Sequence, residues 1–319
     1  MNQNRPPRKY FTETALNIYS SEPAILAPAD LDKLSEEPPE VKEKLKNSNI
    51  YLILKRPRIT FVPATIKQKN KQVEGRVAVQ TKDGQTTFEF KADLPDEVAA
   101  VTIGDYPFNK LNFRHTCGNN ATVPASFLLR YFDIDMNDLD ALDVAYVGQS
   151  YGGTGQRTAV ERLSSHSTLQ KILADIAAKE PHIEVLLALY KFEYHRFILN
   201  MDGKQQSAKP DAVDREHYHR VLESQFERRM SICLAEAALI RYFQPRYNKT
   251  YTQGFPKKSL KILKKVYALD FTALIVEASI EEHHMKLYSE KQSKPQSHHI
   301  AKFDLHDERE RQSFFYSRP

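Results

Sequence analysis

The sequence predicts an α+β fold in which a β-rich part precedes a mixed part of strands and helices. Between residues 50 and 113 the apolar residues form short β-like runs, and a hairpin-type turn at Lys82-Asp83-Gly84 separates two of them. After residue 125 the order becomes strand, strand, helix, strand and helix. A chain of 319 residues with 41% hydrophobic residues is long enough for both parts.

Four consecutive segments are expected. Residues 1–49 are rich in Pro and Glu and predict a partly disordered, partly helical N-terminal segment. Residues 50–120 predict a β-rich accessory domain, and residues 121–252 a mixed domain of strands and helices. Residues 253–319 are expected to form a C-terminal α/β extension.

Apolar periodicity predicts five elements in the mixed domain. The first three are two strands and a helix, at 127–132, 143–149 and 158–178. A buried strand at 183–190 follows. A long helix then begins at Asp214 and is stopped by Pro245, because proline cannot continue a helix.

Composition excludes several classes of protein. The longest apolar stretches, 183–190 and 271–278, are far shorter than the roughly 20 residues of a membrane-spanning helix. The first nine residues are polar and basic and lack the apolar centre of a secretory signal. Cys117 and Cys233 are too few for a disulfide framework or a zinc cluster. We therefore expect a cytoplasmic protein with no membrane partner and an unknown oligomeric state.

The net charge of +5 is carried by the second half of the chain, where residues 241–266 hold eight basic side chains and no acidic one. A solvated face of Lys and Arg is one interpretation of this segment. A surface that binds nucleic acid is the other, because clustered positive charge attracts polyanions. The candidate phosphate contacts in this segment are Arg241, Arg246, Lys249, Lys257, Lys258 and Lys261.

Four side chains supply the roles that phosphodiester cleavage requires: a base for the water, a cation beside the phosphate and a carboxylate for a divalent ion. Tyr146 lies on a predicted strand, and Arg162 and His166 are four residues apart, which places them on one helix face. Glu236 lies in the later helix. A single carboxylate suffices for Mg²⁺, which keeps several waters, so we expect Mg²⁺, or Mn²⁺ in its place.

This set resembles the GIY-YIG nuclease family. Tyr146-Val147-Gly148 is similar to the second signature triplet, written YIG. Arg162 and His166 match the family's Arg-x-x-x-His/Tyr spacing on the first helix, and Glu236 is similar to its metal-binding Glu. Asn248, after Pro245, is similar to the Asn downstream of that Glu and is counted among the nucleic-acid contacts.

The resemblance covers about residues 125–250 and implies a nuclease domain, at 121–252, built on a small mixed or antiparallel sheet flanked by helices. It implies that the tyrosine of the triplet acts as general base, with or without help from the histidine, while the arginine stabilises the phosphate and the glutamate binds the metal. The implied substrate is nucleic acid, with DNA favoured over RNA. The β-rich domain is then expected to select the target or to bind a protein partner.

The first signature triplet has no close counterpart shortly before Tyr146. The best substitute is Arg130-Tyr131-Phe132, so Tyr131 is a further catalytic candidate. An insertion at 151–157 lengthens the spacing to Arg162, and Arg157 is kept as a phosphate contact or a helix-start residue. A nucleic-acid-binding or protein-interaction module without catalysis is the alternative to an endonuclease.

Overall fold

The structure is a computed structural model that describes most of the chain. The described residues are 10–21, 23–35, 39, 42, 45, 48–132, 134, 139–150, 163, 167–192, 194–200, 211–224, 226–251, 264–306 and 308–316. They form a mixed α+β fold with several sheets, as the sequence predicts at the level of fold class.

The strands lie along the whole of the described chain. In order they are β1 (Glu13–Tyr19), β2 (Ala24–Leu26), β3 (Ile50–Pro57), β4 (Ile59–Phe61), β5 (Lys67–Lys69), β6 (Gln72–Thr81), β7 (Gly84–Asp93), β8 (Val98–Ile103), β9 (Lys110–His115), β10 (Asn120–Pro124), β11 (Ala141–Gln149), β12 (Ile183–Tyr190), β13 (Tyr194–Asn200), β14 (Ala273–Ser279), β15 (Lys286–Tyr288) and β16 (His298–Asp304). The α-helices are α1 (Ala125–Leu128), α2 (Ser167–Lys179), α3 (Ala212–Leu222), α4 (Arg228–Phe243), α5 (Arg246–Tyr251) and α6 (Glu308–Tyr316).

The central sheet has five strands in the order β15-β11-β3-β12-β2. Its middle strand, β3, pairs antiparallel with β11 on one side and with β12 on the other. Residues 50–54 of β3 are fully buried, because both faces of this strand are covered. The predicted strands at 143–149 and 183–190 are confirmed as β11 and β12.

Two apolar clusters cover the two faces of this sheet. Alternate residues of β3 point to opposite faces, so Leu52 packs with α4 in one cluster while Tyr51 packs with α2 in the other. The buried residues of α2 are Leu169, Ile172 and Ile176. Their spacing confirms the helical pattern for the described part of the predicted helix at 158–178.

The accessory part is inserted between two neighbouring strands of the central sheet. Residues 59–139 supply a separate apolar cluster, formed by β4–β10, α1 and the chain after it. Residues 50–57, expected in this accessory domain, instead form β3. The expectation is wrong for this strand because its apolar residues are buried in the central sheet on both faces.

The two ends of the chain meet in a second sheet, ordered β13-β1-β14-β16. The N-terminal segment contributes a strand that its sequence does not predict, since β1 lies between β13 and β14 with Leu16 and Ile18 fully buried. The same segment also contains 3₁₀ turns at Pro28–Asp30 and Asp32–Ser35. Strand β14, from the expected C-terminal extension, pairs in parallel with β1. The extension is therefore part of the same sheet.

Two predicted elements differ in type or extent. The apolar run 127–132 is expected as a strand but forms α1 and a 3₁₀ turn at Leu129–Tyr131, because Ala125, Leu128 and Phe132 follow a helical spacing into the accessory core. The expected long helix from Asp214 is two helices, α3 and α4. The break follows α3, where the Ser224 hydroxyl donates to the carbonyl of Val221 at 2.7 Å.

The described helices include none with both the length and the apolar character that crossing a membrane requires.

Candidate functional site

Two tyrosines stack on the adjacent strands β3 and β11. Tyr51 pairs opposite Gly148 across the antiparallel ladder, and a bulge between Val144 and Tyr146 turns Tyr146 onto the same face. The ring centroids of Tyr51 and Tyr146 are 6.1 Å apart, with the planes inclined at 29°. Tyr51 is fully buried and Tyr146 is half-buried, so Tyr146 is the member of the pair that solvent reaches.

Gly148 leaves the space that the two rings occupy. A Cβ atom at this position would lie 2.5 Å from both Cζ and Oη of Tyr51 and 2.8 Å from Cε1 of Tyr146. Real Cβ contacts are essentially never this short. The glycine of the Tyr146-Val147-Gly148 triplet is therefore required by the packing of the tyrosine pair.

Asn248 on α5 binds the same strand through its side chain. Its Oδ1 accepts from the backbone N–H of Val147 and its Nδ2 donates to the Val147 carbonyl, both at 2.8 Å. Strand β15 covers this edge of β11 only at residues 141–143, so the carboxamide takes the place of a pairing strand farther along. Asn248 is 1% exposed. The expectation of a direct nucleic-acid contact is contradicted, because the buried amide bonds to Val147.

Helix α4 brings Glu236 alongside β11. Arg228 near the start of α4 donates to Oδ1 of Asn49 at 2.6 Å, and the Cys233 thiol lies 3.7 Å from Oε1 of Gln149. The start of α4 is therefore at the end of β11 where Gly148 lies. Glu236 is one helical turn beyond Cys233, on the same side of α4, and is 9% exposed.

The tyrosine pair and helix α4 lie on different faces of the central sheet at β11. Tyr51 and Tyr146 lie on the face covered by α2, whereas the apolar side of α4 packs against the other face. Cys233 is buried, but it does not belong to the apolar cluster that contains Leu52 and the buried apolar residues of α4. Helix α5 crosses the edge of β11, which separates the two faces of the sheet. Glu236 shares the side of Cys233 on α4.

Three predicted site residues, Arg157, Arg162 and His166, lie outside the described residues. Leu163, which follows Arg162 in the sequence, is described and is fully buried. It belongs to the cluster that contains Tyr51 and the partly buried Tyr146.

Tyr131 does not join the tyrosine pair. Its side chain is 60% exposed on the 3₁₀ turn of the accessory part, and its hydroxyl accepts from Nη2 of Arg130 at 2.6 Å. Arg130 also donates to the carbonyl of Glu282, next to the segment that pairs with the first residues of β11. The prediction that Tyr131 enters the site is wrong, because this is the opposite end of β11 from Gly148.

Tyr51 is the residue that sequence reasoning missed. The available signal was Asn49-Ile50-Tyr51 at the start of a strongly apolar run, a pattern close to the first triplet of the family. The inserted accessory part separates this run from Tyr146 in the sequence, although the two strands are neighbours in space.

The basic side chains in residues 241–251 lie in different environments. The guanidinium of Arg241 lies over the Phe314 ring at 5.2 Å, and burial lowers the pKa of this side chain. This packing against α6 disfavours its predicted role as a phosphate contact, which stays a prediction. The Arg246 side chain is 63% exposed and bonds to Oε1 of Glu180 at 3.2 Å. The side chain of Lys249 and all of Lys257, Lys258 and Lys261 lie outside the described part.

An ion-pair network occupies the other end of the tyrosine face. Lys55 lies 3.4 Å from Asp143 and 3.2 Å from Glu180. Burial raises the pKa of Asp143 even though Lys55 opposes it. Burial also acts to raise the pKa of Glu180, but Lys55 and Arg246 outweigh it and hold that pKa below its usual value. Arg246 is therefore a structural partner of Glu180 as well as an exposed cation.

Within the described ranges, no three His, Cys, Asp or Glu side chains are grouped as metal ligands. Glu236 is 9% exposed, and a single carboxylate fits an ion such as Mg²⁺ that retains most of its waters. A search of the chain against protein-family models, curated proteins and solved structures finds no match in any of the three.

Proposed function

We propose that this chain is a metal-dependent endonuclease of the GIY-YIG type, which hydrolyses phosphodiester bonds in nucleic acid, with DNA the favoured substrate. The observation that carries the proposal is the stacked pair of Tyr51 and Tyr146 on antiparallel neighbouring strands, packed over Gly148. In the resemblance, both signature triplets contribute a tyrosine, and the pair supplies one from each.

The proposal assigns Asn49-Ile50-Tyr51 as the first triplet, with Asn in the place of the leading Gly. It pairs in register with the Tyr146-Val147-Gly148 triplet, as residues 50–53 of β3 oppose residues 146–149 of β11. The accessory part is then an insertion between the two triplets. With this assignment, Tyr51 and not Tyr131 is the tyrosine of the first triplet, so both triplets have a counterpart in the chain.

In the proposed mechanism, Tyr146 accepts a proton from the attacking water, with or without help from His166. Tyr51 is a positioning residue, because its buried ring holds that of Tyr146 in place. Arg162 stabilises the charge that develops on the phosphate. Glu236 would hold the divalent ion, which when bound offsets negative charge on the phosphate and lowers the pKa of a bound water.

Nucleic-acid binding in this proposal uses the exposed cation Arg246 and the lysines of 249–261. Arg246 belongs to α5, the helix whose Asn248 holds the strand of Tyr146. A phosphate at Arg246 would therefore lie on the helix next to the proposed site. The accessory part is proposed to select the target or to bind a partner protein.

The experiment is Mg²⁺-dependent nicking of supercoiled plasmid by the purified chain. Glu236→Gln is expected to abolish nicking while leaving folding and DNA affinity nearly unchanged, since the amide keeps the size and shape of the carboxylate but loses the negative charge that binds the metal. Glu223→Gln is the matched control, because Glu223 is 78% exposed on the end of α3. Full activity of Glu236→Gln, or full activity in excess chelator, would contradict the assignment of the metal ligand. DNA binding without nicking by the unmodified chain would favour the non-catalytic module instead.

A further inference from the structure

The three-stranded sheet of the accessory part has one face towards the core and one face towards solvent. Its strands are ordered β10-β9-β8, and neighbouring strands pair antiparallel. Leu111 of β9 and Val123 of β10 pack in the accessory core. Because successive side chains of a strand point to opposite faces, Thr102, Asn112 and Thr122 form a row across the other face. Thr102 and Thr122 are exposed, and we call this face the outer face of the accessory sheet.

The outer face carries positive charge and no carboxylate. The polar side chains on it are Thr102, Lys110, Asn112, Arg114, Asn120 and Thr122. Its other strand positions, 100 and 124, are Ala and Pro. Lys110 and Arg114 make no ion pair with a carboxylate in the described part of the chain. The two positive charges are therefore not neutralised within the face.

The acidic residues nearest to these strands in the sequence lie off the outer face. Asp96 and Glu97 precede β8 and Asp105 follows it, so all three lie in the connections at the ends of that strand. Residues 133, 135 and 138, all Asp, lie outside the described residues. Ile134, which lies between the first two of them, packs against the accessory core. That core is on the opposite side of the sheet from the outer face.

The exposed face of the β6–β7 hairpin has a different arrangement of charge. Arg76 lies directly opposite Glu89, and Lys91 lies directly opposite Glu74. Cross-strand pairs of opposite charge stabilise such a face and leave it with little net charge. The outer face of the β8–β10 sheet lacks these acidic partners, so its cations suit an anionic partner.

The polar groups of the outer face are those that bind nucleic acid. Phosphate oxygens accept hydrogen bonds from Lys, Arg, Asn and Thr side chains, and Asn and Arg also bind base edges. Oδ1 of Asn112 accepts from the Thr122 hydroxyl at 2.8 Å, which orients the amide and leaves its N–H groups as donors. The face therefore combines donors for phosphates with donors for bases.

The outer face suits a duplex better than a single strand. Single-stranded nucleic acid is bound largely by stacking of its bases on aromatic rings. None of the strand positions on the outer face is aromatic, and Tyr106, which is 85% exposed, lies in the loop after β8. Lys110 and Arg114 are four residues apart, about 13 Å along a strand, and the major groove of a duplex is about 12 Å wide. Strands of a sheet are known to enter this groove.

We propose that the outer face of the β8–β10 sheet binds duplex DNA in its major groove. Lys110 and Arg114 donate to phosphates on the two sides of the groove, and Asn112, midway between them on β9, faces the base edges. This proposal rests on the proposed nuclease function, since it identifies a surface that holds the same substrate. Of the two roles proposed for the accessory part, it selects target binding.

The test is fluorescence anisotropy of the full chain with a labelled DNA duplex over a salt series, with one strand of that duplex alone as a second arm. The duplex should bind more tightly than the single strand. Arg114→Gln should weaken duplex affinity several-fold and reduce the steepness of log affinity against log salt concentration by about 0.9, because one phosphate contact is lost. Arg76→Gln is the matched control, since Arg76 is exposed on the β6–β7 face opposite Glu89 and should change neither quantity.

Plasmid nicking by the same variants separates this proposal from the nuclease function. Arg114→Gln should need several-fold more DNA for half-maximal nicking and keep the maximal rate, because Arg114 is an exposed residue of the accessory sheet. If the unmodified chain nicks but Arg114→Gln and Arg76→Gln bind the duplex equally well, this surface is wrong and the nuclease function stands. If Arg114→Gln alone loses duplex affinity but the unmodified chain does not nick, the surface stands and the nuclease function is wrong. Absence of duplex binding by the unmodified chain, or equal binding of the single strand, would overturn the proposal.

Discussion

The side-chain carboxamide of Asn248 forms hydrogen bonds to both backbone polar groups of Val147, each 2.8 Å long. It thereby fixes α5 to the strand that carries Tyr146 and Gly148. Asparagine is suited to this position because it has a donor and an acceptor on one planar group, as a backbone amide has.

Replacing Asn248 by Asp should destabilise the fold. The change puts a second oxygen against the Val147 carbonyl and leaves a buried group without a donor, which costs roughly 1–3 kcal/mol or more where the group is charged. Chemical denaturation should therefore show a fall of about 2 kcal/mol or more in the free energy of unfolding. Asn120→Asp, at an exposed position on β10, should change it little, and an equal effect of both variants would contradict the structural role of Asn248.

Gly148→Ala should disturb the tyrosine pair. The new Cβ would lie 2.5 Å from atoms of Tyr51, and overpacking of this kind typically costs about 1–3 kcal/mol. A double-mutant cycle with Tyr51→Leu shows whether contact with the Tyr51 ring causes this loss of stability, because removing the ring should relieve the contact. We expect Gly148→Ala to cost less in the Tyr51→Leu background. Additive losses in the cycle would show that the ring is not what excludes the methyl group.

His299 should make folding stability depend on pH. Burial lowers its pKa below the usual 6.5, although hydrogen bonds to the carbonyls of Leu287 and Gln296 partly oppose this. Because the folded-state pKa lies below the unfolded-state value, the contribution is full above about pH 6.5 and decreases as the pH falls from there towards the lowered value. His299→Gln should reduce the slope of unfolding free energy against pH, measured between about pH 5 and 8, the range in which histidine titrates. Part of the slope should remain, because burial also lowers the pKa of His195.

His298→Gln is the matched control for that experiment. His298 is the preceding residue, but its side chain is 44% exposed and pairs with Glu277. We expect its acid-side slope to stay close to that of the unmodified chain. A slope that disappears in His298→Gln and persists in His299→Gln would reverse the assignment.

Arg246 and Arg241 should differ in their effect on nucleic-acid binding. Arg246 is exposed, so Arg246→Gln should reduce the steepness of log affinity against log salt concentration by about 0.9 on duplex DNA if one phosphate contact is lost. Arg241 packs on Phe314, so Arg241→Gln should leave that slope unchanged. Fluorescence anisotropy over a salt series measures both slopes, and identical slopes for the two variants would contradict this separation.

Local periodicity was sufficient to predict β11 and β12, because most residues of both strands are apolar. It failed at 127–132, where a short apolar run is compatible with strand or helix and the accessory core selects the helix. It also failed for β1, whose position between β13 and β14 depends on pairing with residues that are far away in the sequence.

The candidate site was predictable only in part. Tyr146 and Gly148 lie in one contiguous motif, so the sequence shows them together. Tyr51 could not be related to them by spacing, because residues 59–139 form a separate core between the two strands. The burial of Asn248 was likewise hidden, since it depends on an uncovered edge of β11 that only the sheet order reveals.

The measurement that tests the central proposal most directly is the plasmid-nicking rate of Tyr146→Phe beside that of Tyr131→Phe. Loss of a general base typically costs about 10²–10⁴ in rate, so Tyr146→Phe should nick at least about 100-fold more slowly with an unchanged unfolding temperature. Tyr131→Phe changes the exposed tyrosine near the opposite end of β11 and should retain the full rate. An unaltered rate in Tyr146→Phe, or a loss confined to Tyr131→Phe, would contradict the assignment of the site to the tyrosine pair.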